Sequence, residues 1–337
     1  MRDCDLSVEQ YNSVEKAGVA ALSHTEVAAF QPIHYLKTGQ STKVENEREL
    51  WKYVELMHYN TFETDFSTYL GGGLSIAEFD LLGQLLTQVF RFVQTRYGMT
   101  FVPMATPVLS LNVLRHIRHI FGDSCPRVFE IGPGSGYLGA FMILQGYPYA
   151  STEVSQAFYL HQNHLWNLLT DGRVIEVGFG SSEQFGPPSP GGAIHIPWWE
   201  FVKTRLDEVP EFDIVTCNHT LCEMSRDALS FVLKISSILL RGKTSPKVFL
   251  FEHWGAQSVN RKRHVAEAFY KYSFRLAHHD RQIAIFAQSG TREAFEALAL
   301  PKTRRPRFPA VRNLSRRMAG FSPVLTEADW TPEYYMS

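Results

Sequence analysis

Two carboxylates and a run of glycines carry the first chemical suggestion in this 337-residue chain. Arg127-Val128-Phe129-Glu130-Ile131-Gly132-Pro133-Gly134-Ser135-Gly136-Tyr137-Leu138-Gly139 passes from a short apolar run into a glycine-rich turn, and Tyr137 to Leu144 continues as a helix. Glycine at such a turn permits positive φ and brings a ligand within van der Waals reach of the main chain. The first N–H groups of the following helix then point at that ligand. Glu153 lies nineteen residues past Gly134. Nucleotide-binding α/β folds place near that offset, at the tip of the second strand, an acid that accepts ribose hydroxyls.

A second group of reactive side chains follows two later apolar runs. Phe212 to Cys217 delivers Asn218-His219-Thr220-Leu221-Cys222-Glu223-Met224, and Pro246 to Phe251 delivers Glu252 and His253. Histidine titrates where a general base is useful. In a doubly wound sheet of order 3-2-1-4-5, ligands sit in the crevice between the first and fourth strands. Asn218 and His219 are therefore expected across that crevice from the glycine loop, and His253 opens onto it from the fifth strand. His253 is preferred as base because the fourth-strand tip lies beside the loop; a buried, hydrogen-bonded histidine is the plain alternative for either. Glu223 could orient such a base or, with Glu252 near, hold a divalent cation.

These residues need a frame of alternating strands and helices. Tyr147 to Glu153 predicts the second strand and Phe158 to Leu169 a helix. Residues 171–193 are punctuated by glycine and proline and read as loop. Ala193 to Pro197 predicts the third strand, with Trp198 and Trp199 placed to pack a ring or cap the core. Upstream, Val44 to Tyr59 and Ser75 to Tyr97 are amphipathic helices around a glycine breaker at 69–74, and Val108 to Phe121 is a helix after a proline-bounded interruption. Arg115, His116, Arg118 and His119 give that helix a basic side, read as a solvated face. His161 and His164 lack a third ligand nearby and receive no chemistry.

Composition narrows the class. With 45% hydrophobic and 20% charged residues, the chain is globular and large enough for a substantial core. No run approaches a membrane span, and Met1 to Asp5 lacks a signal-peptide core, so a cytoplasmic protein is expected. Cys4, Cys125, Cys217 and Cys222 show no C-x-x-C spacing and read as free thiols. Seven basic residues and no acid lie between 302 and 317, a patch suited to an anionic acceptor or to solvation. Nothing matches a nucleic-acid-binding module, which sets RNA and DNA below a small-molecule acceptor.

The glycine spacing separates two ligand classes. A dinucleotide fingerprint would require glycine at position 137, where Tyr137 stands. The observed E-x-G-x-G-x-G resembles the first motif of class I S-adenosylmethionine-dependent methyltransferases. N-H-T-L-C-E-M after F-D-I-V-T-C, together with E-V-S-Q-A-F-Y-L-H-Q-N-H-L and I-P-W-W, resembles a bacterial family of sugar O-methyltransferases. That family usually carries Asp where Glu153 stands and a serine-aromatic-glutamine run where Leu221 and Cys222 stand.

The resemblance, over residues 105–260, implies a Rossmann-like doubly wound sheet closed by an antiparallel pair, Phe274 to Leu276 and Gln282 to Ala287. It implies S-adenosylmethionine as cofactor, held by Glu130, Gly132, Gly134, Ser135, Gly136, Tyr137, Glu153, Val154, Ser155, Pro197, Trp198 and Asn218, with His253, His219 and Glu223 as catalytic candidates. The expected organisation is a helical region at 1–104 serving as lid or homodimer surface, a cofactor-binding domain at 105–290 and a basic tail at 291–337. The expected activity is methyl transfer to a hydroxyl of a small, sugar-like acceptor. N- or C-methylation, a nicotinamide-dependent sugar oxidoreductase or epimerase, and a non-catalytic cofactor-binding partner are the alternatives.

Overall fold

The computed structural model describes residues 4–30, 43–59, 73–98, 105–180, 185–205, 207–242, 246–253, 255, 259–279 and 283–288. The basic tail and most of the 69–74 breaker lie outside the described residues. Among the described residues, five helices precede the first strand: α1 (Val8–Ala20), α2 (His24–Phe30), α3 (Glu47–Tyr59), α4 (Ile76–Tyr97) and α5 (Ala105–Phe121). There follow β1 (Val128–Ile131), α6 (Tyr137–Leu144), β2 (Tyr149–Glu153), α7 (Gln156–Thr170), β3 (Val174–Glu176), β4 (Ala193–Pro197) and α8 (Trp198–Lys203). The chain then forms β5 (Ile214–Thr216), α9 (Arg226–Leu239), β6 (Val248–Glu252), α10 (Lys262–Lys271), β7 (Phe274–His279) and β8 (Ile283–Gln288).

The strands form one sheet in the order β3-β4-β2-β1-β5-β6-β8-β7. All neighbours from β3 to β6 are parallel, and β8 runs antiparallel to both β6 and β7. Set β3 aside, and this is the 3-2-1-4-5 doubly wound sheet with a closing antiparallel pair, the Rossmann-like arrangement expected from the sequence. The chain reverses direction between β1 and β5, which fixes the ligand crevice at their carboxyl ends.

Alternation along the strands builds the two faces. On β1, Val128 joins the core formed with α4 to α7, while Phe129 joins the core formed with α9 and α10. On β6, Val248 and Leu250 face the first layer and Phe249 and Phe251 the second. Strands buried on both faces read as continuous apolar runs for this reason.

Three expectations are corrected. Residues 171–193 hold the edge strand β3, whose three half-buried residues, flanked by Gly172 and Gly178, are too short to show a period. Pro107 lies inside the first turn of α5, where a missing N–H leaves no helical bond unmade. The side of α5 read as solvated is instead engaged. Arg115 pairs with Glu78 at 2.6 Å and with the Gly73 carbonyl at 2.7 Å, and His116 is buried with Nδ1 2.8 Å from the Asn112 carbonyl oxygen.

Glu78 also completes a capping box at the start of α4: the Ser75 N–H donates to its carboxylate at 2.8 Å, and the Ser75 hydroxyl accepts from its N–H at 3.3 Å. His161 and His164 are buried, and the His164 Nε2 sits 2.8 Å from the Leu6 carbonyl.

Candidate functional site

The glycine loop is gripped from behind by α7. Gln162 Nε2 donates to the Gly134 carbonyl at 2.5 Å, and Trp166 Nε1, one turn later on the same helix face, donates to the Gly136 carbonyl at 3.0 Å. Gly132, Gly134 and Gly136 all adopt positive φ, at 67°, 59° and 75°. A Cβ on Gly136 would stand 2.9 Å from Gln162 and 3.1 Å from Trp166, whereas one on Gly134 would meet nothing within 4 Å among the described residues. Glycine is therefore required at 136 by packing and at 134 by conformation. Tyr137 starts α6 fully buried and serves as core.

Two buried acids flank the loop. Glu130 accepts from the Tyr149 hydroxyl at 2.7 Å and from Asn218 Nδ2 at 3.1 Å. Burial pushes its pKa up to about 7, against the pull of those two donors and with help from the nearby Glu153 charge. Asn218 also accepts from the Glu252 N–H at 2.8 Å, so this one amide ties the tips of β1, β5 and β6 together. Glu153 accepts from the N–H groups of Gly134, Val154 and Ser155 and from Gln162 Nε2, at 2.8–3.2 Å. Burial raises its pKa against those donors.

A pocket of about 60 Å³ opens at the carboxyl ends of the strands. Ile131, Gly132, Thr152, Val154, Trp198 and Thr220 contribute to its wall, and the end of α2 closes one side with Ala29 and Phe30. Ser225 Oγ donates to the Ala29 carbonyl at 3.0 Å, and the Phe30 ring meets Phe231 edge-on. Pro197, the residue before α8, pairs with Glu153 in the sheet and turns Trp198 toward this pocket, while Trp199 is buried against Tyr11. Among the described residues, the Ser135 and Thr152 hydroxyls are buried without a hydrogen-bond partner. Positive-φ glycines with room above Gly134, and orphan hydroxyls in the loop and on the pocket wall, fit an adenosyl ligand with polar ribose and amino-acid ends.

His219 and His253 lie together beside this crevice, their rings stacked with centroids 5.3 Å apart. Both occupy the left-handed backbone region, φ 59° and 58°, a conformation that side-chain-bearing residues hold only where the surroundings enforce it. The His219 N–H donates to the Glu252 and His253 carbonyls at 3.1 and 3.2 Å, and a Cβ on Gly255 would fall 2.3 Å from the His219 carbonyl. The His219 Nε2 pairs with the buried Glu252 carboxylate. Desolvation opposes charge on His219, but Glu252 and then Glu223 outweigh it and raise its pKa. His253 moves the other way, lowered by desolvation and by the neighbouring His219. Glu223 is half-buried, its N–H donating to the Thr220 carbonyl at 2.9 Å. Among the described residues no group of three or more His, Cys, Asp or Glu side chains gathers to hold a metal ion.

Sequence reasoning missed Tyr149, Gln162, Trp166, Thr152 and Phe30. Gln162 and Trp166 carried a usable signal, being one helical turn apart in the helix that follows the Glu153 strand.

No family model matches the chain, and no curated protein matches it. Solved structures similar to it include magnesium protoporphyrin IX methyltransferase from Synechocystis PCC 6803 with bound S-adenosylmethionine, at 11% identity and TM-score 0.36, covering 72% of this chain and 95% of that one. The N-methyltransferase NodS from Bradyrhizobium japonicum WM9, with S-adenosylhomocysteine, is 9% identical at TM-score 0.36, covering 63% and 98%. A TehB-like methyltransferase from Corynebacterium glutamicum is 11% identical at TM-score 0.36, covering 61% and 97%. At such scores the likeness carries no argument, and the fold class rests on strand order and direction.

Proposed function

We propose that this chain is an S-adenosylmethionine-dependent methyltransferase acting on a hydroxyl of a small, sugar-like acceptor. One observation carries the proposal: a loop with three positive-φ glycines, its carbonyls tied back to α7, lies between two buried acids at the β1/β5 switch point. S-adenosylmethionine, when bound, supplies an electrophilic methyl group on a sulfonium.

The chain's own residues do the rest. Gly132 and Gly134 admit the ligand to the main chain, Ser135 and Thr152 offer it their hydroxyls, and Val154 and Trp198 flank its apolar part. Glu130 places a carboxylate near the cationic end. His253, kept neutral near pH 7 by its lowered pKa, accepts the proton of the acceptor hydroxyl, and His219, paired with Glu252, holds its stacked neighbour in place. The end of α2 closes the pocket as a lid.

Calorimetry with S-adenosylhomocysteine and with NAD tests the cofactor: micromolar binding of the former and none of the latter is expected, and the reverse sinks the proposal. Incubation with isotope-labelled methyl donor and a panel of sugars and other hydroxyl compounds tests the acceptor. Label found only on nitrogen or carbon would overturn O-methylation while leaving the cofactor intact.

A further inference from the structure

We propose that residues 4–6 are an acid-sensitive clasp, fastened to α7 while His164 is neutral and released when that histidine takes up a proton, and that the clasp moors α1 at the wall of the pocket.

Three side chains on one side of α7 hold the segment by its main chain. Asn163 Oδ1 accepts from the Leu6 N–H at 2.9 Å, Asn167 Nδ2 donates to the Cys4 carbonyl at 2.9 Å, and His164 Nε2 lies 2.8 Å from the Leu6 carbonyl oxygen. Arg96 on α4 closes on the same place. Its guanidinium meets Asp5 at 2.7 Å and Glu47 of α3 at 3.1 Å, and its Nη2 stands 3.1 Å from His164 Nε2.

His164 is 2% exposed, and one tautomer suits this setting. The Leu6 carbonyl can only accept, so the hydrogen sits on Nε2 and Nδ1 is left bare. Nδ1 is buried with no hydrogen-bond partner among the described residues. Protonation would put a hydrogen there with nothing to receive it and a second positive charge against Arg96. Arg96, Asp5 and Glu47 are the charged groups that face the ring; the Tyr97 phenol is buried beside Arg96, and His161, one turn earlier on α7, faces Phe92. Burial and then Arg96 lower the His164 pKa, against the Leu6 carbonyl, Glu47 and Asp5.

A histidine that resists its proton while the segment is docked binds one readily once the segment lifts away. Docking is therefore at full strength above the ordinary histidine value of 6.5 and weakens as the pH falls below it. The segment leads directly into α1, whose N-cap is Ser7. In turn α1 holds the pocket wall: Glu15 accepts from Nε1 of the pocket-lining Trp198 at 3.2 Å, and Asn12 Oδ1 accepts from Gln156 Nε2 at 2.9 Å.

Amide hydrogen exchange on the ligand-free chain, corrected for the intrinsic effect of pH, tests the clasp. Between pH 7.5 and 5.5 the protection of the Leu6 amide and of the α1 amides should fall about tenfold, the proton uptake of a freed histidine with pKa near 6.5. His164→Gln offers a donor to the Leu6 carbonyl and an acceptor to Arg96 and takes up no proton, so its protection should not change over that range. A wild type whose protection holds at pH 5.5, or a His164→Gln variant that loses it in parallel, overturns the proposal. Loss at Leu6 with α1 unchanged overturns the mooring of α1. If His164→Gln does not fold, His164→Asn, equally unable to take up a proton, is held to the same criteria. No cofactor enters either arm, so the result stands apart from that of the proposed function.

Discussion

Replacing Glu130 by glutamine should stabilise the protein at alkaline pH and weaken its grip on the cofactor. The pKa of Glu130 stands at about 7 in the folded protein against an ordinary 4.5. Between those values the folded state keeps a proton that the unfolded chain releases, so stability falls as pH rises through the window and the full cost is present above pH 7. At about 1.36 kcal/mol per tenfold change in proton affinity, that cost is on the order of 3 kcal/mol.

Glutamine fits the same contacts: its oxygen accepts from Asn218, and its nitrogen donates to a Tyr149 phenol that turns from donor to acceptor. It has no charge to bury. Equilibrium urea denaturation of wild type and Glu130→Gln at pH 5 and pH 8 isolates the effect, because other titrating groups cancel in the difference. The variant's stability relative to wild type should grow by roughly 2.5 kcal/mol across that range, and a difference independent of pH would refute the reasoning. Calorimetry adds a second reading. A cationic ligand favours the ionised carboxylate, so wild-type affinity for S-adenosylmethionine should rise from pH 6 to pH 8 with proton release, and Glu130→Gln should show neither.

Glycine substitutions separate ligand space from packing. Gly134→Ala should cost only the left-handed strain of an alanine, about 1–2 kcal/mol, yet lower cofactor affinity at least tenfold. Gly139→Ala, whose Cβ would sit 2.6 Å from Trp166 and 2.8 Å from Tyr149, should destabilise by about 1–3 kcal/mol through overpacking; equal effects on binding from both would contradict the placement. Ser75→Ala removes the cap of α4 and should lower stability by about 1 kcal/mol in a denaturation midpoint. His253→Ala should abolish turnover while leaving S-adenosylhomocysteine affinity unchanged. The acidic limb of the wild-type rate profile should lie below the ordinary histidine value of 6.5 because that pKa is lowered.

The parts of this architecture written in local pattern were legible in the sequence. The β1 run, the glycine turn and α6 follow one another with little tertiary help, and the apolar stripe of α4 announces itself through Phe79, Leu82, Leu85, Leu86, Val89 and Val93. What could not be read was pairing at a distance. Glu78 appears in the sequence as an ordinary first-turn acid, and only the fold brings Arg115 to it. Likewise β3 has three residues and no alternation to detect, because its existence depends on β4 lying alongside.

In the site, residue types at strand tips were found by the topology rule. The oxygens of Glu153 were not, since a strand-tip acid looks the same in sequence whether it points at solvent or at the loop beside it. Tyr149, paired in the sheet with Val128, reaches Glu130 only because the two strands are parallel and in register.

The pocket at the strand ends is narrow and is bounded by sheet on one side and by helix on the other. Small-molecule sites usually span about 300–1,000 Å³, several times the space at this one. Strand ladders hold the sheet side of the pocket, and the last turn of α2 is fastened to its other side by Ser225 and by the meeting of Phe30 with Phe231. If the proposed cofactor enters past α2, its affinity should be the intrinsic one reduced by the fraction of molecules with that helix displaced. On that reading, substitutions on the outer surface of α2 should shift cofactor affinity without touching the cofactor.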